Sequence, residues 1–155
     1  MESSDTVLSS KIPVAYIDMR VLAHATEDVD KVLTAARSIL PPEQVDSVVF
    51  SRSSLTGYHG NPIVLIETRI RDRRLAQAVL ERLASGLNMM DKEFLSSKIP
   101  QHLEKGNLYL RLDKQAAFQG VFRFSSSDPI HLKVHFKKHT TEEITETCRN
   151  LGLLS

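Results

Sequence analysis

The feature that most constrains the fold is a strict alternation in the last third of the chain. Four apolar residues, Ile130, Leu132, Val134 and Phe136, alternate with His131, Lys133, His135 and Lys137. Alternation with a period of two residues is typical of a β-strand that buries one face. The sequence therefore predicts a sheet with one apolar face and one basic face.

The rest of the chain mixes strand and helix patterns. Extended alternation predicts further strands over 14–25, 47–55, 63–71, 108–112 and 122–124. Helical spacing predicts helices over about 29–40, 72–87 and 89–97, a helical turn over 113–120 and a last helix that opens with a capping box at Thr140 and Glu143. Because hairpin-length loops and helices both separate the strands, we expect an α+β fold: a single mostly antiparallel sheet packed on helices on one face.

Length and composition fit one domain without special stabilisation. The chain has 155 residues, of which 41% are hydrophobic and 25% charged, and this excludes wholesale disorder, collagen and disulfide scaffolds. No apolar run reaches the roughly 18 residues that a membrane span needs. We expect a flexible tail over residues 1–11 and a single domain over 12–155. The absence of a secretory signal pattern and the single cysteine, Cys148, favour a cytoplasmic location.

The polar positions of the predicted strands are strongly basic. Seven basic residues stand there against two acids, Asp18 and Glu67, which gives this face a charge of +5 in a chain whose formal total is +1. The seven are Arg20, Arg69, Arg71, Arg111, Arg123, Lys133 and Lys137, with Tyr109, His131 and His135 among them. Closely spaced cations and flat rings are the groups that contact RNA phosphates and bases. A solvated sheet face and a protein-binding face are the alternatives.

Two loops carry further candidate residues. The segment from Tyr58 to Pro62 fits a plain hairpin turn, a ligand loop that uses Tyr58, His59 and Asn61, or a catalytic loop with His59 as base. No serine or carboxylate stands at a spacing that would complete a triad, so no catalytic residue is predicted.

The second loop follows the strand over 108–112. Asp113 fits a helix cap with Lys114 and Gln115 exposed beside it, and the functional alternative is a phosphate or base contact by Lys114.

Metal ligands and a reactive thiol are not expected. His131, His135 and His139 recur every four residues, but four strand residues span about 13 Å, too far for one shared ion. Cys148 lies on the apolar stripe of the last helix and is expected to be buried. We therefore predict no metal and no cofactor.

Three motifs together resemble an archaeal family that is described as predicted exosome subunits or RNA-binding proteins. They are GYHGNPI over 57–63, LRLDKQAA over 110–117 followed by Gly120, and IHLKV over 130–134. The resemblance spans residues 14–152. It implies a fold similar to that of the ribosomal protein that binds 5S RNA, and it brings no catalytic residues.

These observations predict a non-enzymatic RNA-binding protein, accessory to RNA processing or exosome-linked degradation, that holds phosphates on its basic sheet face. The predicted contacts are Arg20, Arg69, Arg71, Arg111, Lys114, Arg123, Lys133 and Lys137, with Tyr58, His59 and Asn61 as a ligand loop. RNA is the expected partner. Exosome or other RNA-processing proteins and a homodimer are further options, and no membrane is expected. A protein-interaction or dimerising subunit that uses the same face is the main alternative, and a hydrolase is the third.

Overall fold

The computed structural model describes residues 14–137 and 140–155, and the tail predicted over residues 1–11 lies outside them. Its strands are Val14–His24 (β1), Ser51–Thr56 (β2), Pro62–Ile70 (β3), Leu103–Glu104 (β4), Asn107–Leu112 (β5) and Ile130–Phe136 (β6). They form one six-stranded sheet in the order β2-β3-β1-β6-β5-β4, with every neighbouring pair antiparallel.

The helices each begin at a capping side chain. They are Val29–Arg37 (α1), Arg73–Gly86 (α2), Met89–Lys98 (α3), Lys114–Phe118 (α4) and Thr141–Leu151 (α5), with 3-10 turns over Pro42–Ser47 and Ile99–His102. Asp28, Asp72, Asn88, Asp113 and Thr140 accept hydrogen bonds from backbone N–H groups of the first turns. These bonds satisfy donors that a helix start leaves unpaired. The predicted capping box of Thr140 and Glu143 is present, with both hydrogen bonds formed.

The helices pack on one face of the sheet. On that face of β1, Ile17, Met19, Val21 and Ala23 are all buried. The helices α1 and α2 contact β1, and α5 packs against α2. The predicted α+β fold, a single antiparallel sheet with helices, is therefore confirmed. No helix in the described part of the chain is long and apolar enough to cross a membrane.

Two stretches differ from the predicted strands. The segment over 47–55 begins in a 3-10 turn, and its strand starts only at Ser51. The strand predicted over 122–124 is wrong: Phe124 forms a single bridge with Leu112. Phe122 is buried instead against α2, where a Cβ at Gly86 would lie only 2.4 Å from its ring.

The strand β4 was not predicted. It is only two residues long, and Lys105 and Gly106 join it to β5 with φ angles of 52° and 81°. Two successive positive φ angles are typical of the tight turn that matches the twist of a hairpin.

Cys148 is fully buried in α5, as predicted from its place on the apolar stripe. Burial raises the pKa of Cys148 to about 12. The thiol is therefore uncharged at neutral pH, and a thiolate nucleophile is not available there.

Candidate nucleic-acid interface

The sheet register assembles the face opposite the helices, here called the open face, into rows that cross several strands. The Tyr16 row contains Tyr16, His135 and Asn107; the Asp18 row contains Arg69, Asp18, Lys133 and Tyr109; the His131 row contains Glu67, Arg20, His131 and Arg111. Directly opposed residues of antiparallel strands point to the same side, so each row is a line of neighbouring side chains.

In the Asp18 row, one carboxylate holds two cations. Arg69 donates two hydrogen bonds to Asp18, at 2.6 and 2.8 Å, and Lys133 Nζ lies 3.8 Å from the same carboxylate. The hydrogen bonds to Asp18 raise the pKa of Arg69. Two of the predicted phosphate contacts are therefore partly neutralised before any ligand binds.

Tyr16 forms a stack with His135 of its own row and with Arg69 of the Asp18 row. The Arg69 guanidinium lies 4.0 Å from the centre of the Tyr16 ring, and the His135 ring stacks on Tyr16 at 4.9 Å and 24°. Since β1 lies between β3 and β6, the two partners approach Tyr16 from opposite sides. His135 Nδ1 is also 2.7 Å from Asn107 Oδ1. Sequence reasoning did not single out Tyr16, although it shares the alternation phase of Asp18.

The His131 row contains three basic residues and one acid, Glu67, which lies opposite Arg20. Arg20 on β1 and Arg111 on β5 stand on either side of His131, and both are exposed. Among the residues that the structure describes, neither arginine has an ion pair or a side-chain hydrogen bond. Burial and then the charges of Arg20 and Arg111 lower the pKa of His131, against a smaller opposing effect of Asp128.

A shallow cavity of about 570 Å³ lies over the Asp18 and His131 rows. Its walls come from strands alone and include Arg20, Arg111, His131, Lys133 and Tyr109. Its volume falls within the range of small-molecule sites, roughly 300–1,000 Å³. A phosphate with its sugar or base therefore has room on this face.

The other predicted basic residues lie at the ends of the open face. Arg71 and Lys137 directly follow β3 and β6 and are exposed. Arg123 is exposed beyond the end of β5, with its Nε 3.9 Å from Asp113. The basic residues thus extend from the Tyr16 end of the face to the end of β5.

Lys114 is not the exposed residue that the sequence predicted. Only 8% of it is accessible, and its ammonium donates hydrogen bonds to the Leu22 carbonyl at 2.8 Å, to Glu27 at 3.0 Å and to Asp128 at 2.7 Å. All three donor hydrogens are used, so the expected exposure is wrong. No local pattern predicts this burial, because the Leu22 carbonyl and Glu27 lie 92 and 87 residues away from Lys114 along the chain.

The acids around Lys114 also stand close to a histidine. Ligand atoms of His24, Glu27 and Asp128 lie within 4.8 Å of one another, an arrangement that could hold a metal ion. The Lys114 ammonium already bonds two of the three, and His24 Nε2 lies 3.0 Å from Asp128. The group is best described as an ion-pair cluster that ties the loop before β6 to β1.

The Tyr58–Asn61 loop lies at the far end of the β2–β3 hairpin. Tyr58 is 99% exposed, and its ring contacts only His59, edge to face at 5.1 Å. The Gly57 N–H donates to the Asn61 carbonyl at 2.7 Å, and Gly60 has a φ of 80°. None of these residues lines the cavity over the open face. The structure thus separates the predicted ligand loop from the basic rows.

This geometry defines an α+β protein with one sheet face covered by helices and the other open, grooved and rich in arginine. The chain belongs to the RNA-binding protein family, whose model, described as RNA binding, matches residues 16–136.

Similar proteins come from archaea. The RNA-binding protein PAB1135 of Pyrococcus abyssi is 33% identical over 133 residues, which is 84% of this chain and 86% of that protein. The uncharacterized protein MJ0213 of Methanocaldococcus jannaschii is 31% identical over 143 residues, 86% and 95% of the two chains. The solved structure of Mth689, a DUF54 protein from Methanothermobacter thermautotrophicus, matches with a TM-score of 0.73 at 30% identity, over 89% of this chain and 97% of that one.

Proposed function

We propose that this protein binds RNA without catalysing a reaction and that the open face holds the phosphate backbone. The observation that carries the proposal is the His131 row, where Arg20 and Arg111 form no ion pair with a described residue, although Glu67 lies opposite Arg20. The two guanidinium groups flank His131 on the strands either side of β6, and a phosphate between them would accept charge-assisted hydrogen bonds from both.

The paired cations have a different role in this proposal. Asp18 fixes Arg69 and Lys133 in place, and Arg69 in turn covers Tyr16. A cation that is paired with a carboxylate attracts phosphate less strongly. Because its side chain is already held in one position, however, less conformational entropy is lost when RNA binds. Further phosphates of the RNA backbone are then bound at the two ends of the open face, by Arg71, Lys137 and Arg123.

A charge-matched pair of variants tests the proposal. Arg20→Ala with Arg111→Ala should weaken RNA binding at least tenfold, as measured by fluorescence anisotropy of a labelled RNA at fixed salt. Lys31→Ala with Arg37→Ala removes the same charge from exposed positions of α1 on the helical side. This control should bind almost as the wild type does. Equal weakening by both doubles would mean that only net charge matters and would contradict the proposed face.

A protein partner is the second candidate, and a specific part of the open face favours it. Toward the hairpin end, Leu22, Leu55, Ile63 and Leu65 occupy the same phase as the basic rows and remain partly or fully accessible. Apolar side chains on an uncovered sheet face favour association. If this candidate is right, light scattering will show self-association that high salt does not reduce, and RNA will not bind at low salt.

The resemblance also implies an exosome-linked role and a fold like that of the 5S-RNA-binding ribosomal protein. Both stay predictions. Recovery of exosome subunits with the tagged protein from an archaeal extract, both before and after ribonuclease treatment, is the expected result for a direct accessory.

A further inference from the structure

Tyr109 differs from the other tyrosines in having an accessible ring beside cations. It lies on the open face of β5, 37% exposed, and its side chain has no ring contact or hydrogen bond with another described residue. Tyr16, in contrast, is covered by Arg69 and His135. Tyr58 stands at the hairpin tip beside His59, away from the basic rows.

The surroundings of Tyr109 supply cations at two positions. Lys133 lies directly opposite it on β6, and Arg111 is two residues further along β5, a rise of about 7 Å. Arg20 completes the His131 row on the other side of β6. All four residues line the same cavity of about 570 Å³.

We propose that the ligand of the open face is single-stranded RNA, with one base stacked on Tyr109 and the neighbouring phosphate held between Arg20 and Arg111. The proposal rests on the proposed function and adds the form of the RNA. An accessible aromatic ring beside cations, here Lys133 and the unpaired Arg111, is the combination that binds unpaired nucleotides. A duplex could place phosphates on the cations but no base on Tyr109, because its bases are stacked on one another and their faces are not accessible.

Stacking on Tyr109 predicts a defined pattern of affinity. Tyr109→Leu should weaken binding of a short oligoadenylate about tenfold, within the range measured for single base–aromatic stacks. Tyr109→Phe keeps the ring and should bind as the wild type does. Because every base has a flat face, a short oligouridylate should bind in the same pattern with a modest difference in strength.

The chain contains no tryptophan, which permits a direct test of the contact. Tyr109→Trp creates a single tryptophan whose fluorescence a stacked adenine should quench, and Phe118→Trp is the matched control. Phe118 is 44% exposed on α4, so its environment has similar exposure but lies outside the open face. We expect saturable quenching in the first variant by oligoadenylate, much weaker quenching by the same strand annealed to its complement, and none in the control.

The possible failures separate this inference from the proposed function. If oligoadenylate binds in anisotropy but leaves Tyr109→Trp unquenched, or if the duplex binds as tightly as the single strand, the base site is wrong and the phosphate-binding face stands. If Tyr109→Phe loses affinity as Tyr109→Leu does, stacking is also contradicted. If neither RNA form binds at low salt, the proposed function and this inference both fail.

Discussion

At the residue scale, the basic side chains of this protein differ in how many partners they have. Lys114 has three acceptors, Arg69 has a carboxylate and an aromatic ring, and Arg20 forms no ion pair with a described residue. A cation with all its donors satisfied gains little from an added phosphate, whereas an unpaired one gains a charge-assisted hydrogen bond. Among the cations of the open face, the number of partners therefore separates the positioning residues from the candidate RNA contacts.

The cluster around Lys114 gives a prediction on stability. Lys114→Met removes the ammonium and leaves Glu27, Asp128 and the Leu22 carbonyl without their shared donor. We expect the free energy of unfolding to fall by about 1–3 kcal/mol, because buried or half-buried acceptors lose a charged partner. Lys31→Met, on the exposed side of α1, should change it by less than about 0.5 kcal/mol. Denaturant titration of both variants measures this, and equal stability of the two would contradict a structural role for Lys114.

His131 gives a prediction on pH. Burial, together with Arg20 and Arg111, lowers its pKa in the folded state below the ordinary value of about 6.5. The unfolded chain therefore binds the proton more readily, so stability from this residue is fully present above about pH 6.5 and is lost as the pH falls toward the folded pKa. Between about pH 7 and about pH 5, the free energy of unfolding should fall more steeply for the wild type than for His131→Gln. His59→Gln, at the exposed hairpin tip, should follow the wild type; parallel curves for wild type and His131→Gln would contradict the assignment.

At the scale of elements, the sequence predicts those strands and helices that are long enough to show a period. It does not predict elements that are very short or whose conformation depends on contacts with distant parts of the chain. The strand over 130–136 and its basic phase follow directly from alternation, since one face is buried and the other is not. The two-residue strand β4 is too short to show a period. The pattern over 122–124 fits any short extended segment, and the packing of Phe122 against Gly86 is a tertiary contact that this pattern does not show.

For the candidate site too, local patterns predict which residues share a face but not which side chains pair with one another. Alternation placed Arg20, Arg111 and His131 on one face, and the register then made them neighbours. The ion pairs of Asp18 with Arg69 and Lys133 could not be predicted. They depend on the strand order that makes β3 and β6 neighbours of β1, and no local sequence pattern determines that order. The three acceptors of Lys114 come from distant segments for the same reason.

The burial of Cys148 on α5 gives a prediction on thiol reactivity. Cys148 packs on the buried face of α5, and burial raises its pKa to about 12. Since the thiolate is the reactive form, Cys148 should react slowly with a thiol reagent under native conditions and at the rate of a free thiol in denaturant. Labelling is followed by mass spectrometry. Fast native labelling would show that α5 separates readily from α2.

At the scale of the whole molecule, we propose that residues 12–155 behave as one domain. One sheet contains strands from both ends of the described chain, with β1 paired to β6. Limited proteolysis should therefore trim only the N-terminal residues and leave one resistant core. Stable fragments produced by cleavage near 85–88, where α2 and α3 meet, would contradict a single cooperative unit.

Charge is also distributed unequally at this scale, although its total is only +1. The open face holds Arg20 and Arg111, which form no ion pair with a described residue, and the helical side carries much of the acid, including Glu142 and Glu146 on α5. A protein with this distribution should bind a polyanion in one orientation, with an affinity that depends on the few contacts of one face and not on net charge.

The most direct test of the central claim is the salt dependence of RNA binding. Each phosphate contact on a single strand contributes about −0.7 to the slope of log K against log salt, so about four contacts predict a slope near −3 for the wild type. Arg20→Ala with Arg111→Ala should remove about two contacts and bring the slope to roughly −1.5, while Lys31→Ala with Arg37→Ala should retain the wild-type slope. An unchanged slope in the first double variant, or an affinity of the wild type that does not depend on salt, would contradict the claim that the open face holds the RNA backbone.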